Sequence, residues 1–245
     1  MAVDASDQFS MIGRRALTLG LAGGLVGSQK RDGLTQTQAS AAVDLQLVLA
    51  VDSSSSVNAE EFATQMEGFA AAFRDPKVAA AVDMGAEQAV AITLFEWASP
   101  YDQALSLPWT RLAVPEDFQS VAYALENAPR GVVGGGTSIS GALLYALALF
   151  ETCPFPSTHR TIDVSGDGRN NQGFPVSILR DRIGALGIGI NGLAILNEEP
   201  DLLRHYQEDV IVGPNAFALP AESYGAFSDA MLLKLLRELT PPATV

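Results

Sequence analysis

Residues 45–56 read Leu45-Gln46-Leu47-Val48-Leu49-Ala50-Val51-Asp52-Ser53-Ser54-Ser55-Ser56, and this stretch decides the fold. Leu45–Val51 is an almost unbroken apolar run of strand length. It lacks the polar–apolar alternation of a half-exposed strand, so it reads as a strand covered on both faces. An aspartate and four serines end it abruptly in a polar turn. From Ala59 to Arg74 the apolar spacing becomes helical, with Phe62, Met66, Phe69 and Phe73 on one stripe, and Asp75-Pro76 punctuates the end. Strand, polar turn and helix form one unit of a parallel sheet.

The same alternation continues outward. Ala89–Trp97 reads as a second strand, and Tyr101–Trp109 as its antiparallel edge neighbour. Pro115–Ala128 reads as a helix with proline in its first turn. A glycine-rich loop, Gly131–Gly136, leads into an apolar helix from Ser138 to Glu151. A strand at Arg160–Ser165, a helix at Pro175–Leu186 and a strand at Ile188–Leu196 follow. A short helix at Asp201–Glu208, a strand near Phe217–Leu219 and a closing helix at Ala221–Leu239 complete the series. The expected fold is α/β: a mostly parallel central sheet with helices on both faces and one antiparallel edge strand. No repeat or linker interrupts residues 44–240, which are expected to form one domain, with 241–245 as a tail. In such sheets ligands bind beyond the carboxyl ends of the strands, so the residues just after each strand matter most.

Composition narrows the function classes. With 28 acidic against 15 basic residues the chain carries a net charge of -13, which argues against nucleic acid or anionic lipid as the main partner. Cys153 is the only cysteine, so there is no intrachain disulfide framework. Residues 1–43 differ from the rest. Arg14-Arg15 precede the apolar run Ala16–Val26, too short for a membrane span of ~20 residues, and Ala39-Ser40-Ala41 has the pattern of a signal-peptidase site. This segment reads as an export leader resembling the twin-arginine type, cleaved near Ala41. The mature chain is then expected in the periplasm or outside a bacterial cell, with no integral membrane span.

Three loops after or beside strands are rich in oxygen donors. Asp52, Ser54 and Ser56 alternate and can point the same way in an extended turn. Gly134-Gly135-Gly136 presents the Thr137 hydroxyl where backbone approaches closely. The strand Arg160–Ser165 runs into Gly166-Asp167-Gly168, a second carboxylate between residues free to turn. Oxygen-only donors suit a hard divalent cation, Mg²⁺ first, with Mn²⁺ or Ca²⁺ as alternatives.

These three parts, Asp52-x-Ser54-x-Ser56, then Gly135-Gly136-Thr137, then Asp167-Gly168, resemble the metal-ion-dependent adhesion site of von Willebrand factor type A domains, in order and approximate spacing. The resemblance covers residues 44–240. The chain is most similar to a bacterial group of exported proteins with a type-A-like domain, DUF1194, whose hallmarks resemble Val51–Ser56, Ile162–Asn171 and Gly213–Phe217. The resemblance implies a Rossmann-like α/β domain in which Ser54, Ser56 and Thr137 hold the metal directly or nearly so, and Asp52 and Asp167 act chiefly through bound waters, exchanging with direct coordination when the site changes state. It implies a vacant coordination position that accepts an Asp or Glu side chain of a partner protein.

Rival readings fit less well. The serines could form a turn that caps the following helix. Gly131–Gly136 lacks the lysine of a phosphate loop. A phosphatase-type nucleophilic aspartate wants a second acid where Ser54 stands. Ser140 and Ser165 do not sit in a Gly-x-Ser-x-Gly elbow, and the two histidines fall away from the loops, His159 at the amino end of a strand and His205 on a polar helix surface. A metal-assisted hydrolase or phosphoryl-transfer enzyme using the same ion, or a metal that only braces the loops, remain the alternatives to partner recognition. Asp163, inside a strand, reads as a buried support. Glu198-Glu199 read as a solvated turn, and Arg169, Asn170 and Asn171 either as ligand-reading residues or as plain loop. Trp97 and Trp109 read as core or sheet edge.

Overall fold

The computed structural model describes residues 42–241; the expected leader and cleavage site lie outside the described residues. Six strands form one sheet: β1 (Leu45–Asp52), β2 (Val90–Trp97), β3 (Gln103–Leu112), β4 (Arg160–Gly166), β5 (Ile188–Ile195) and β6 (Ala218–Ala221). Their order is β3-β2-β1-β4-β5-β6. Only β3 runs antiparallel, against β2, and the other neighbours are parallel. This is the mostly parallel α/β sheet with one antiparallel edge expected from the sequence.

Helices cover both faces, and strand parity decides which side chain meets which layer. In β1, Leu45, Leu47, Leu49 and Val51 join a core with α1 (Ala59–Arg74), α2 (Pro76–Asp83), α3 (Pro115–Glu126) and α7 (Phe227–Leu239). Val48 and Ala50 face the other way, toward α4 (Ile139–Phe150), α5 (Val176–Ala185) and α6 (Leu202–His205). Every residue of β1 and of β2 is buried, which explains the unbroken apolar text. Pro108 and Pro220, unable to donate to a ladder, fall in the two edge strands β3 and β6.

The structure departs from the sequence reading in several places. The first helix ends at Arg74 as read, but a further helix that the reading lacked begins at once. Asp75 caps a second helix whose first residue is Pro76, its carboxylate accepting from the Lys77 N–H at 2.8 Å. The fixed φ of proline suits a first helical position as well as a stop. The short helix after β5 is helical only to His205, and Tyr206–Val210 continues as a π-turn. The closing helix starts at Phe227, because Ala221 belongs to β6 and Tyr224–Ala226 form a 3₁₀ turn. Among the described residues no helix is long and apolar enough to cross a membrane.

The chain reverses its direction of build-out between β1 and β4, which are adjacent although two strands separate them in sequence. Such a switch point leaves a crevice beyond the carboxyl ends of its two strands. Asp52 ends β1 and Asp167 follows β4, so both acids stand at that crevice.

Candidate metal centre

The Asp52 loop is built from within. Asp52 is fully buried, and its Oδ1 accepts the Ser54 N–H at 2.8 Å, an aspartate turn that reverses the chain. Arg130 clamps the turn from outside. Its guanidinium donates to the Ser53 carbonyl (2.9 Å), the Ser53 hydroxyl (2.8 Å) and the Val57 carbonyl (2.8 Å), and lies over the Phe62 ring. The serines do not cap α1. That task falls to Asn58, whose side chain accepts from Glu60 and Glu61 while Glu61 reaches back to the Asn58 N–H at 2.9 Å. Ser54 and Ser56 are thus left for another use.

The glycine-rich loop hangs from Glu96, a buried acid in β2. One of its oxygens accepts the N–H groups of Gly131 (2.8 Å) and Val132 (2.9 Å), and the other accepts the Ser106 hydroxyl. Gly135 adopts φ +97°, and a Cβ there would lie 2.5 Å from the Ser99 hydroxyl, so both conformation and space require glycine. Beyond it, Thr137 is tied to the loop after β4. Its N–H donates to Asn171 Oδ1, and its carbonyl accepts the Asn171 N–H, both at 2.9 Å. Asn170 Oδ1 accepts the Ser140 N–H at the start of α4. Both asparagines therefore join loops together. The Thr137 hydroxyl lies beside the Asp167-Gly168 turn, 3.5 Å from where a Cβ on Gly168 would stand.

At the centre a chain of hydroxyls reaches the second carboxylate. Ser54 and Ser56 Oγ are 3.2 Å apart, and Ser56 donates to Asp167 Oδ1 at 2.7 Å. Asp167 Oδ2 accepts the Tyr224 hydroxyl at 2.9 Å. Asp52 Oδ2, by contrast, is buried and has no partner, as is the Tyr206 hydroxyl. Gly166 stands between them, since a Cβ there would be 2.8 Å from Asp52 Oδ2 and 3.0 Å from the Tyr206 oxygen. Burial first, then the charge of Asp167, push the Asp52 carboxyl up to about 7, against hydrogen bonds from Ser54. Burial first, then Asp52, hold the Tyr206 phenol well above its usual range, and burial with Asp167 does the same to Tyr224.

This donor set fits a hard cation. A buried carboxylate oxygen lacks a donor, positive charge would favour the ionised form of Asp52, and the Ser56 hydrogen already points to Asp167, so Ser54 donates to Ser56 and each hydroxyl keeps a lone pair for an ion. Every donor is oxygen. Among the described residues no three His, Cys, Asp or Glu side chains gather as a metal-binding group, so hydroxyls must complete any such shell.

The other candidates fall elsewhere. Arg169 is held by Glu199 and Asp201, each at 2.8 Å, so half-exposed Glu199 is an ion-pair partner, while Glu198 is exposed in the turn after β5. His205 is not a surface residue. Only 11% of its side chain is exposed and Nδ1 meets Asp209 Oδ2 at 2.9 Å, because the π-turn draws this segment onto the sheet. His159 lies at the amino edge, before β4. Gly213–Phe217 also lies there, and Pro214–Phe217 line a cavity of about 600 Å³ with Asn191 and Arg237. Trp97 is in the core, and half-buried Trp109 donates to the Leu149 carbonyl. Four residues of the centre escaped the sequence reading: Glu96, Arg130, Tyr206 and Tyr224. A lone acid inside an apolar strand could have pointed to Glu96, and the Leu202–Tyr206–Val210 spacing to a buried Tyr206; nothing local marks Tyr224.

The sheet order and the placement of the three loops define a von Willebrand factor type A-like domain, and solved structures of that fold are similar to this chain. Proximal thread matrix protein 1 from the mussel byssus, in a structure with a zinc-occupied MIDAS motif, is 17% identical, with a TM-score of 0.55 over 82% of this chain and 48% of that one. A von Willebrand factor type A protein from Catenulispora acidiphila is 16% identical (TM-score 0.54; 81% and 43%). The pilus adhesin SpaC from Lactobacillus rhamnosus GG is 14% identical (TM-score 0.55; 81% and 31%). The chain spans about half the length of the mussel protein or less of these structures. No match is found among curated proteins. The chain belongs to the family described as "Protein of unknown function (DUF1194)", which matches residues 42–243.

Proposed function

We propose that residues 44–240 form one exported type-A-like recognition domain that binds a divalent cation at the β1/β4 crevice and captures a partner protein through it. Ser54, Ser56 and Thr137 would hold the cation, with Asp52 and Asp167 behind them. A bound divalent cation supplies an electrophilic position that an Asp or Glu side chain of the partner can fill. The chain's part is to keep that position underneutralised, because hydroxyls carry no charge and one of the two acids is already hydrogen-bonded on both oxygens. Mg²⁺ is the proposed ion, given oxygen-only donors, and the zinc in the mussel protein's MIDAS motif is consistent with a site of this kind for divalent cations. The periplasm or cell exterior is the proposed location, which the byssal and pilus proteins of similar fold support.

The observation that carries this reading is the hydrogen-bonded run Ser54–Ser56–Asp167 beside the unpartnered Asp52 Oδ2. Its test is thermal unfolding with and without Mg²⁺ or Mn²⁺. Metal at 100 times its dissociation constant should raise stability by about 2.7 kcal/mol, about 5–11 °C in melting temperature for a domain of this size. Asp52→Ala and Thr137→Ala should each abolish the rise. A wild-type protein indifferent to metal and to chelator would remove the proposal.

A further inference from the structure

We infer that Tyr224 is a positioning residue of this centre, which holds Asp167 back from direct coordination and so keeps a bound cation receptive to a partner's carboxylate. The inference rests on the metal reading above and extends it to a residue outside the five-residue motif. The two acids of the crevice are not equivalent. Asp167 is satisfied on both oxygens, by Ser56 at 2.7 Å and by Tyr224 at 2.9 Å. Asp52 has a backbone donor on Oδ1 and none on Oδ2. A carboxylate already accepting two hydroxyl hydrogens has spent part of its charge and its best lone-pair directions. Each oxygen keeps a second lone pair, so these bonds oppose direct coordination by fixing how the Asp167 carboxylate is turned.

Of the two, the Tyr224 bond is the restraint. Ser56 can donate its hydrogen to Asp167 and still offer a lone pair to a cation, so its bond to Asp167 is compatible with coordination. The phenol of Tyr224 comes from the 3₁₀ turn Tyr224–Ala226 ahead of α7, is only 7% exposed, and packs in the core that contains Val57 and Phe227. It is fixed from a different element than the metal loops, so it does not follow Asp167 if the carboxylate turns. A phenol keeps its hydrogen at neutral pH, so Tyr224 is a standing donor to Asp167. Direct coordination by a second carboxylate would neutralise more of the ion's charge and weaken its hold on an incoming acid. Tyr224 therefore trades metal affinity for partner affinity.

The experiment compares wild type, Tyr224→Phe and, as a control at an exposed site, Tyr101→Phe (residue 95% exposed). Mn²⁺ is titrated by calorimetry, water-proton relaxation reports the exchangeable waters on bound Mn²⁺, and acetate is titrated into the Mn²⁺-loaded proteins. In Tyr224→Phe the freed carboxylate should tighten Mn²⁺ binding about fivefold or more. The relaxation enhancement per bound Mn²⁺ should fall and acetate should bind severalfold more weakly, while Tyr101→Phe matches wild type. A purely structural Tyr224 would instead weaken Mn²⁺ and acetate binding together, and that result overturns the inference, as does a variant indistinguishable from wild type. Far-UV circular dichroism on the same samples establishes that the variant is folded. If it is not, Tyr224→Leu at lower temperature carries the same expectation. A wild type that binds no Mn²⁺ overturns the metal reading itself, and the role of Tyr224 falls with it.

Discussion

Asp163 lies midway along β4 on the α7 side of the sheet, and its side chain is 1% exposed. Lys234 of α7 meets it at 2.7 Å and meets Glu238 at the same distance, while Asn191 donates to Glu238 at 2.9 Å. Two carboxylates thus share one ammonium in the interior. Burial first, then the Glu238 charge, raise the Asp163 carboxyl to about 7, with Lys234 opposing. The folded protein then binds a proton here that the unfolded chain, with an aspartate near ~3.9, has already lost. Between those values stability falls as pH rises, by up to about 1.4 kcal/mol per pH unit for each such group, and it levels off above 7. Asp52 has the same sign in metal-free protein. Asp163→Asn should therefore flatten the decline between pH 4 and 7 in chelator, measured by urea unfolding across pH. An unchanged slope would show that Asp163 does not carry the proton. The sequence marked Asp163 as a buried support because an acid within an apolar strand is conspicuous. Its partners were hidden, because Lys234 and Glu238 sit on a helix that reads as an ordinary charged amphipathic face.

Elements were legible where periodicity is long and uniform, and blurred where one residue has two uses. Phe62, Met66, Phe69 and Phe73 marked α1, and all four are buried against the sheet and α7. Pro76 marked the end of α1 but hid the start of α2, because proline both stops and starts helices, and Ala221 misled because an alanine fits a strand end and a helix start alike. The pattern could not show how α1 meets α7. Phe69 and Phe227 pack edge to face with centroids 5.5 Å apart, and Gly68 makes room for the approach. A Cβ on Gly68 would lie 2.6 Å from Phe227 Cδ1, and that ring is fully buried and cannot swing away. Gly68→Ala gains about 1 kcal/mol of helix propensity but overpacks this contact, at about 1–3 kcal/mol. The expected outcome is a net loss, a melting temperature lower by a few degrees, and rescue by Phe227→Leu. A Gly68→Ala protein more stable than wild type would mean that the two helices can separate without cost.

At the scale of the whole molecule, the sheet order follows from the alternation of strands and helices, and it brings two distant carboxylates to one switch point. The order of the loops in sequence was therefore enough to gather Asp52, Ser54, Ser56 and Asp167 into contact, with Thr137 beside them. What braces them was not legible: Arg130 and Tyr224 reach the centre from a loop and a turn that carry no periodic signal, and Glu96 is a single acid inside β2 whose loop partners the strand pattern does not show. Net charge adds a property that no single loop has. A chain at -13 attracts a divalent cation and repels an acidic ligand over the same distance. Salt shortens that reach to about 8–10 Å near physiological ionic strength. Raising NaCl from 10 to 150 mM should therefore weaken Mn²⁺ binding by several-fold while it speeds association of an acidic peptide with the Mn²⁺-loaded protein, an order-of-magnitude expectation from screening alone. Stopped-flow fluorescence and calorimetry read the two effects separately. Opposite salt dependences are the signature of a local cation within an acidic body. Two effects of the same sign would mean that the peptide docks away from the ion, on a surface whose own charge is positive.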